Sequence, residues 1–250
     1  MSDSSPANLL SVRIKDHVGA LTLDVTFALT QPWTVLFGPS GSGKTTILRT
    51  IAGFVRPSSG RITRGDSILL DSEAKVLIPA HRRPVRSAGQ VARLFPHMTV
   101  QQNLSYGVGS SSRPSDTKQM IDEVLTLFQL GALAARMPRN LSGGERQRVS
   151  VARAVVSAVT ADSTPAAILL LDEPFSGLDN QMRDELLVAL REWLAPRKTP
   201  VLAVTHDVGE AFQLGAEVLR ITDGRIVAQG PAATVLAADR TRLLQQLEMP

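Results

Sequence analysis

The 250-residue chain predicts an α/β fold, with a mainly parallel sheet, an N-terminal antiparallel β-subdomain and an inserted α-helical subdomain. Three observations carry this expectation. Short, mostly apolar runs at Trp33 to Phe37, Ala166 to Leu171 and Val201 to Val204 read as buried strands and alternate with amphipathic segments, the pattern of a sheet covered on both faces. Leu21, Leu23, Val25 and Phe27 alternate with Thr22, Asp24 and Thr26, the period of a half-buried strand. Between about residues 95 and 160 the texture turns helical.

In chain order, Leu10 to Ile14 and the alternating segment after it suggest a small antiparallel sheet. Trp33 to Phe37 leads into a Gly-rich loop and a helix from about Lys44 to Gly53. Arg61 to Leu70 reads as further short strands, broken by Gly65 and Asp66. Ile121, Val124, Leu125 and Phe128 fall at i, i+3, i+4 and i+7 and give a helix one apolar face. The polar stretch Gly109 to Ser115 reads as a surface connection. Leu186, Leu187, Leu190, Trp193 and Leu194 mark another amphipathic helix.

Composition excludes several classes. With no cysteine, neither a disulfide nor a thiolate-bound metal is available, and four dispersed histidines argue against a His-built metal site. The net charge of +4 is scattered, with no basic run longer than two residues, which points away from nucleic acid. The longest apolar run is far short of the ~20 residues that span a bilayer. The opening residues carry neither a basic segment nor a long apolar one, which argues against a secretory signal. A cytoplasmic protein is expected, with any membrane role borrowed from a partner.

Gly38, Pro39, Ser40, Gly41, Ser42, Gly43, Lys44 and Thr45 form G-x-x-x-x-G-K-T between a predicted strand and a predicted helix, with Thr46 following. Glycines let backbone N–H groups close around phosphate oxygens, and the helix N-terminus adds partial positive charge. Lys44 suits the β- and γ-phosphates, and the Thr45 hydroxyl suits Mg²⁺. The apolar run before Asp172 and Glu173 places two carboxylates at a strand's carboxyl end, where ligands of open α/β sheets sit. Asp172 would hold Mg²⁺, and Glu173 would polarise an attacking water as general base.

Three further segments carry a family resemblance. Leu141-Ser-Gly-Gly-Glu-Arg-Gln147 resembles the LSGGQ signature of ABC ATPases, with Glu145 in the place of the commonest Gln. Ser176-Gly-Leu-Asp179 is similar to the family's D-loop, and Thr205-His206-Asp207 to its switch-histidine motif. Gln90, four residues before Leu94-Phe95-Pro96-His97, fits the Q-loop of importer-type members, although Val85 to Gly89 before it is less apolar than the pattern. The resemblance runs from about Ser11 to Gly230 and implies the P-loop NTPase fold of ABC ATPases, as a single domain over residues 1–250. No aromatic side chain occurs near position 15, where the family stacks adenine; either His17 stacks on the base or the base rests on aliphatic atoms.

The resemblance implies a mechanism and its partners. Two chains pack head to tail with ATP at the interface, so that Ser142, Gly143 and Gly144 of one meet the γ-phosphate held by Lys44 of the other. Gln90 senses Mg²⁺ and water, His206 holds the γ-phosphate, and Asp179 couples the two sites across the dimer. A transmembrane permease subunit receives the motion on the inner face of the cell membrane, and a periplasmic or extracellular substrate-binding protein acts indirectly. Ile78-Pro-Ala-His-Arg-Arg83, Ala92 to His97 and Asn103 to Gly107 most resemble the ATPase subunits of molybdate importers; sulfate, polyamine and iron importers share much of this. Such ATPases often carry a C-terminal β-rich regulatory domain, for which this sequence leaves no room. The alternatives are a non-transport ABC ATPase of DNA repair or translation, and a P-loop small-molecule kinase. The kinase explains neither the signature nor His206.

Overall fold

The structure is a computed structural model that describes residues 9–108, 114–161, 163, 166–214 and 216–248. They divide into two compact units, one built from the chain up to Arg83 and from Val204 onward, the other from Pro84 to Ala203.

In the first unit, β1 (Leu10–Val18) and β2 (Leu21–Leu29) form a hairpin in register from Leu10 opposite Leu29 to Val18 opposite Leu21. Leu10, Val12 and Ile14 of β1 and Leu23, Val25 and Phe27 of β2 are buried, which is the face the alternation predicted. β3 (Trp33–Phe37) is buried along its whole length and feeds α1 (Lys44–Ala52) through the Gly-rich loop. β4 (Ser59–Arg64), β5 (Ser67–Asp71) and β6 (Val76–Leu77) do not stand apart from the hairpin. They extend it into a five-stranded antiparallel sheet in the order β2-β1-β4-β5-β6.

A buried arginine fixes the far end of α1. The helix stops at Gly53, whose φ of 85° no other residue adopts without strain. Arg83 is only 1% exposed; its Nη1 donates to the carbonyls of Thr50 and Ile51, and its Nε to Ile78, each at 2.8 Å. The guanidinium thus answers the Ile51 carbonyl at the helix end and adds a second donor at that of Thr50, which also accepts from Gly53 N at 3.1 Å.

In the second unit, β7 (Val85–Ala88) runs parallel to β8 (Ile168–Asp172), with Val85 opposite Ile168 and Ala88 opposite Leu171. The polar residues of β7 do not prevent the strand, because Arg86 Nε donates to Ser157 Oγ at 2.8 Å. Between these strands lie α2 (Val100–Tyr106), α3 (Pro114–Leu127) and α4 (Gly143–Val159), which make up the expected helical stretch. Ile121, Val124, Leu125 and Phe128 are buried as their spacing predicted. Most of the connection expected at Gly109 to Ser115 lies outside the described residues. α5 (Asn180–Leu194) buries Leu186, Leu187, Leu190 and Leu194, whereas Trp193 is half-buried under the Arg197 guanidinium, 3.6 Å from its ring centre. β9 (Val201–Thr205) follows and lies beside β8.

The chain then returns to the first unit with α6 (Val208–Gln213), β10 (Glu217–Thr222), β11 (Arg225–Pro231), α7 (Ala232–Val235) and α8 (Ala237–Glu248). β10 pairs parallel with β3, and β11 pairs antiparallel with β10. None of these last elements was assigned from the sequence.

The Arg83 contacts make a stability prediction. Arg83→Met removes the hydrogen bonds from its charged guanidinium to the carbonyls of Thr50, Ile51 and Ile78, at about 1.5–3 kcal/mol each, so urea unfolding should shift to a clearly lower midpoint. Arg83→Lys should recover only part of the loss, since one ammonium cannot span the same fork. An unfolding midpoint unchanged in Arg83→Met would contradict this account of α1.

Candidate functional site: a phosphate loop and a signature helix

The phosphate loop is shaped by close backbone approach. A Cβ on Gly38 would lie 2.3 Å from the Ile221 carbonyl oxygen of β10, so only glycine lets the loop leave β3 at this point. Pro39, Ser40 and Gly41 are exposed, and Ser42 is buried. Gly43 caps α1 at φ 99° with no side-chain bond, leaving the first-turn N–H groups directed at the loop. Lys44 is 7% exposed, and its ammonium donates to the carbonyls of Gly38 and Pro39, both at 2.8 Å. The ammonium is therefore held over the loop rather than in solvent. Thr45 is exposed and Thr46 half-buried on the first turn of α1. In the same unit, His17 is exposed near the tip of the β1–β2 hairpin, with Nδ1 3.4 Å from Thr22 Oγ1. His206 is exposed just after β9, next to Asp207, which caps α6 by accepting from Glu210 N at 3.2 Å.

The second unit carries the carboxylates. Asp172 ends β8 and is 7% exposed. Glu173 follows with φ 46°, a left-handed conformation unusual for a residue with a side chain. The turn it opens is tied down by Ser176, whose N–H and hydroxyl both donate to the Glu173 carbonyl, at 3.2 and 3.1 Å. Backbone strain of this kind gathers where a side chain must be aimed. The Gln90 amide Nε2 donates to Glu173 Oε2 at 3.1 Å, so two sequence-predicted site residues 83 positions apart meet directly.

The signature folds as a helix start. Ser142 caps α4 by accepting from Glu145 N at 3.2 Å, and Glu145 Oε2 accepts from Ser142 N at 2.6 Å. This reciprocal capping box engages the Ser142 side chain with both the backbone N–H and the carboxyl of Glu145, and it leaves the first-turn N–H groups of Gly143 and Gly144 without an intrahelical acceptor. Gly144 sits against the D-loop: a Cβ there would come 2.7 Å from Leu178 Cδ2. Asp179, the residue expected to couple two chains, also caps α5 by accepting from Met182 N at 2.9 Å. Gln147, given no role by the sequence reading, donates to the Gly89 carbonyl at 3.1 Å; only its place two residues after Glu145 marked it.

The capping box is pH-dependent. The Ser142 backbone N–H holds the Glu145 carboxyl below its ordinary value of 4.5. A carboxyl lowered in the folded chain stabilises it above the unfolded value and loses that contribution as pH falls through the folded one. Glu145→Gln keeps the shape without the titration. The stability difference between the parent and Glu145→Gln should therefore be widest at neutral pH and narrow below pH 4.5, read from urea midpoints; a pH-independent difference would contradict it.

Comparison with known proteins follows this geometry. A family model described as ABC transporter matches residues 23–176. The chain is 39% identical over 226 residues to the molybdenum import ATP-binding protein ModC of Brucella abortus, covering 90% of this chain and 60% of that protein. It is 37% identical over 236 residues to ModC of Rhizobium etli, covering 92% and 64%. The chain thus spans about 60% of the length of the first of these relatives. Among solved structures it is similar to cbiO1 from Clostridium perfringens, part of the ABC transporter complex cbiONQ, with TM-score 0.75 and 24% identity over 98% of this chain and 96% of that one. It is also similar to the ATP-binding cassette MJ0796 in a dimeric post-hydrolysis state bound to ADP and Pi, with TM-score 0.72 and 23% identity over 89% and 98%. The structural likenesses carry the fold, the α/β P-loop fold of ATP-binding cassettes, and the family match carries the rest: the chain belongs to the ABC transporter family.

Proposed function

We propose that this chain binds ATP with Mg²⁺ and hydrolyses it as the energising subunit of an importer, through nucleotide-driven closure of a homodimer. The observation that carries hydrolysis, as distinct from binding, is the Gln90–Glu173 hydrogen bond at 3.1 Å, one residue beyond Asp172 at the carboxyl end of β8. An amide that donates to a carboxylate oxygen fixes the direction of the carboxylate, and a carboxylate so aimed is suited to take a proton from water.

In this reading the N–H groups of the loop from Gly38 to Thr46 bind the phosphates, and Lys44 binds the β- and γ-oxygens. Thr45, Asp172 and the Gln90 side-chain carbonyl oxygen would each offer Mg²⁺ an oxygen donor, the ligand type that suits this ion. When bound, the ion neutralises charge on the phosphates. Glu173 takes a proton from the attacking water, and His206 donates to the γ-phosphate oxygens. Ser142, Gly143 and Gly144 of a second chain supply an O–H, N–H groups and a helix N-terminus to the same oxygens, and Asp179 reaches across to couple the sites. His17 is the one ring available beside adenine.

We further assign to this reading a single ABC ATPase domain over residues 1–250 and a transmembrane permease as partner. The chain would work at the cytoplasmic face of the membrane, with an external substrate-binding protein acting indirectly. Among the described residues no helix is long and apolar enough to cross a membrane. The similarity to ModC supports molybdate, or another oxyanion, as the imported substrate. No observation favours a non-transport ABC ATPase or a small-molecule kinase.

Lys44→Ala should abolish productive Mg-ATP binding, measured as nucleotide affinity; unchanged affinity and turnover would remove the loop from the site. Glu173→Gln should keep ATP binding while turnover falls by ~10²–10⁴-fold, so that the closed dimer accumulates. Asp172→Asn should lose closure together with turnover. Size-exclusion chromatography with Mg-ATP and a phosphate-release assay distinguish the two, and Glu173→Gln hydrolysing at the parental rate would show that Glu173 is not the base.

A further inference from the structure

Gln147 lies on α4 five residues after Ser142 and is 5% exposed. Its Nε2 donates to the carbonyl of Gly89, the residue immediately before Gln90. Gly89 lies just past the end of β7, and no heavy atom comes within 4 Å of where its Cβ would be. The turn is open on that side, and glycine is the residue with the most backbone freedom to lose. What anchors it is one buried amide on a helix whose next residues, Arg148 to Ala152, are buried. Arg148 itself ties that part of α4 to the end of α3, donating to the Phe128 carbonyl at 3.0 Å.

We propose that Gln147 is a positioning residue, a strut from the signature helix that holds the Gly89 carbonyl and thereby aims Gln90 at Glu173. The proposal rests on the reading of Glu173 as base and Gln90 as its partner. It adds a path on which three successive contacts run through one unit of the chain: Gln147 to Gly89, Gly89 to Gln90 by the peptide bond, and Gln90 to Glu173. The helix that carries this strut begins at the signature. In a head-to-tail dimer the signature serves the partner's nucleotide, whereas Gln90 and Glu173 serve the chain's own. Gln147 therefore stands between the two ATP sites, and displacement of α4 at one is passed to the water-activating pair at the other.

The test is a double-mutant cycle on the full chain, with Gln147→Met, which keeps length and removes the donor, and Gln90→Ala. Hydrolysis of Mg-ATP, nucleotide affinity and the urea midpoint are measured for each. Gln147→Met should lower kcat by about fivefold to tenfold, the worth of one hydrogen bond, with KM unchanged. The double variant should be no slower than Gln90→Ala alone, because the strut acts only through Gln90. Gln147→Glu, which turns an acceptor toward the carbonyl, should be slower than Gln147→Met. Parental kcat in Gln147→Met, or losses that multiply in the double variant, would overturn the proposal. The cycle still decides if Gln147→Met is less stable, since a general structural loss multiplies with that of Gln90→Ala. Glu173→Gln run alongside separates the two failures: parental turnover there removes the base, whereas its loss together with multiplying effects removes only the strut.

Discussion

Phosphate oxygens concentrate negative charge in a small volume, and the backbone N–H groups at a helix start meet such charge closely. Two helix starts of this chain differ in their caps. α1 begins at Gly43, which makes no side-chain cap bond, and the glycine accepts a φ of 99° that a larger residue would resist. α4 begins at Ser142 with a full capping box, in which the serine side chain accepts from Glu145 N and also bonds the Glu145 carboxyl. In the proposed function one N-terminus encloses a ligand and the other is brought to one. The difference is visible in which groups each cap consumes.

Rigidity behind those helix starts comes from buried arginines. Arg83 answers the carbonyl end of α1, the end opposite the phosphate loop, and Arg148 ties α4 to the end of α3. Arg86 secures β7 to Ser157, so that the strand leading to Gln90 stays in register with β8 despite its polarity. Arginine suits this work because its planar fork reaches several acceptors and its aliphatic stem fills apolar space. Burial lowers the pKa of Arg83 and of Arg86.

Local pattern made much of this legible in the sequence. The phosphate loop, the β1–β2 hairpin, the buried β8 and the apolar face of α3 are each set by neighbouring residues, and each appears where spacing placed it. What escaped depends on distant partners. Glu217–Thr222 does not read as a buried strand because Arg220 interrupts it, and the charge is met by Asp239, nineteen residues later on α8, at 2.5 Å. Arg86 in β7 is answered from Ser157 in the same long-range way. Trp193 fits a helical apolar face by spacing, but Arg197 covers it. In the site, Gln90 and Glu173 were each visible as motif positions, whereas the left-handed backbone at Glu173 has no glycine or asparagine to announce it. Gln147 was in plain view beside the signature, and only its reach to Gly89 gives it work.

The central claim is that the signature of one chain completes the phosphate site of another. The absence of native cysteine allows a direct measurement by disulfide trapping of chains that carry Ser40→Cys or Ser142→Cys alone. With Mg-ATP and mild oxidant, the account predicts a cross-linked dimer when the two variants are mixed and little product from either alone. Efficient self-cross-linking of each variant, with no product specific to the mixture, would place like loops together and contradict the head-to-tail site.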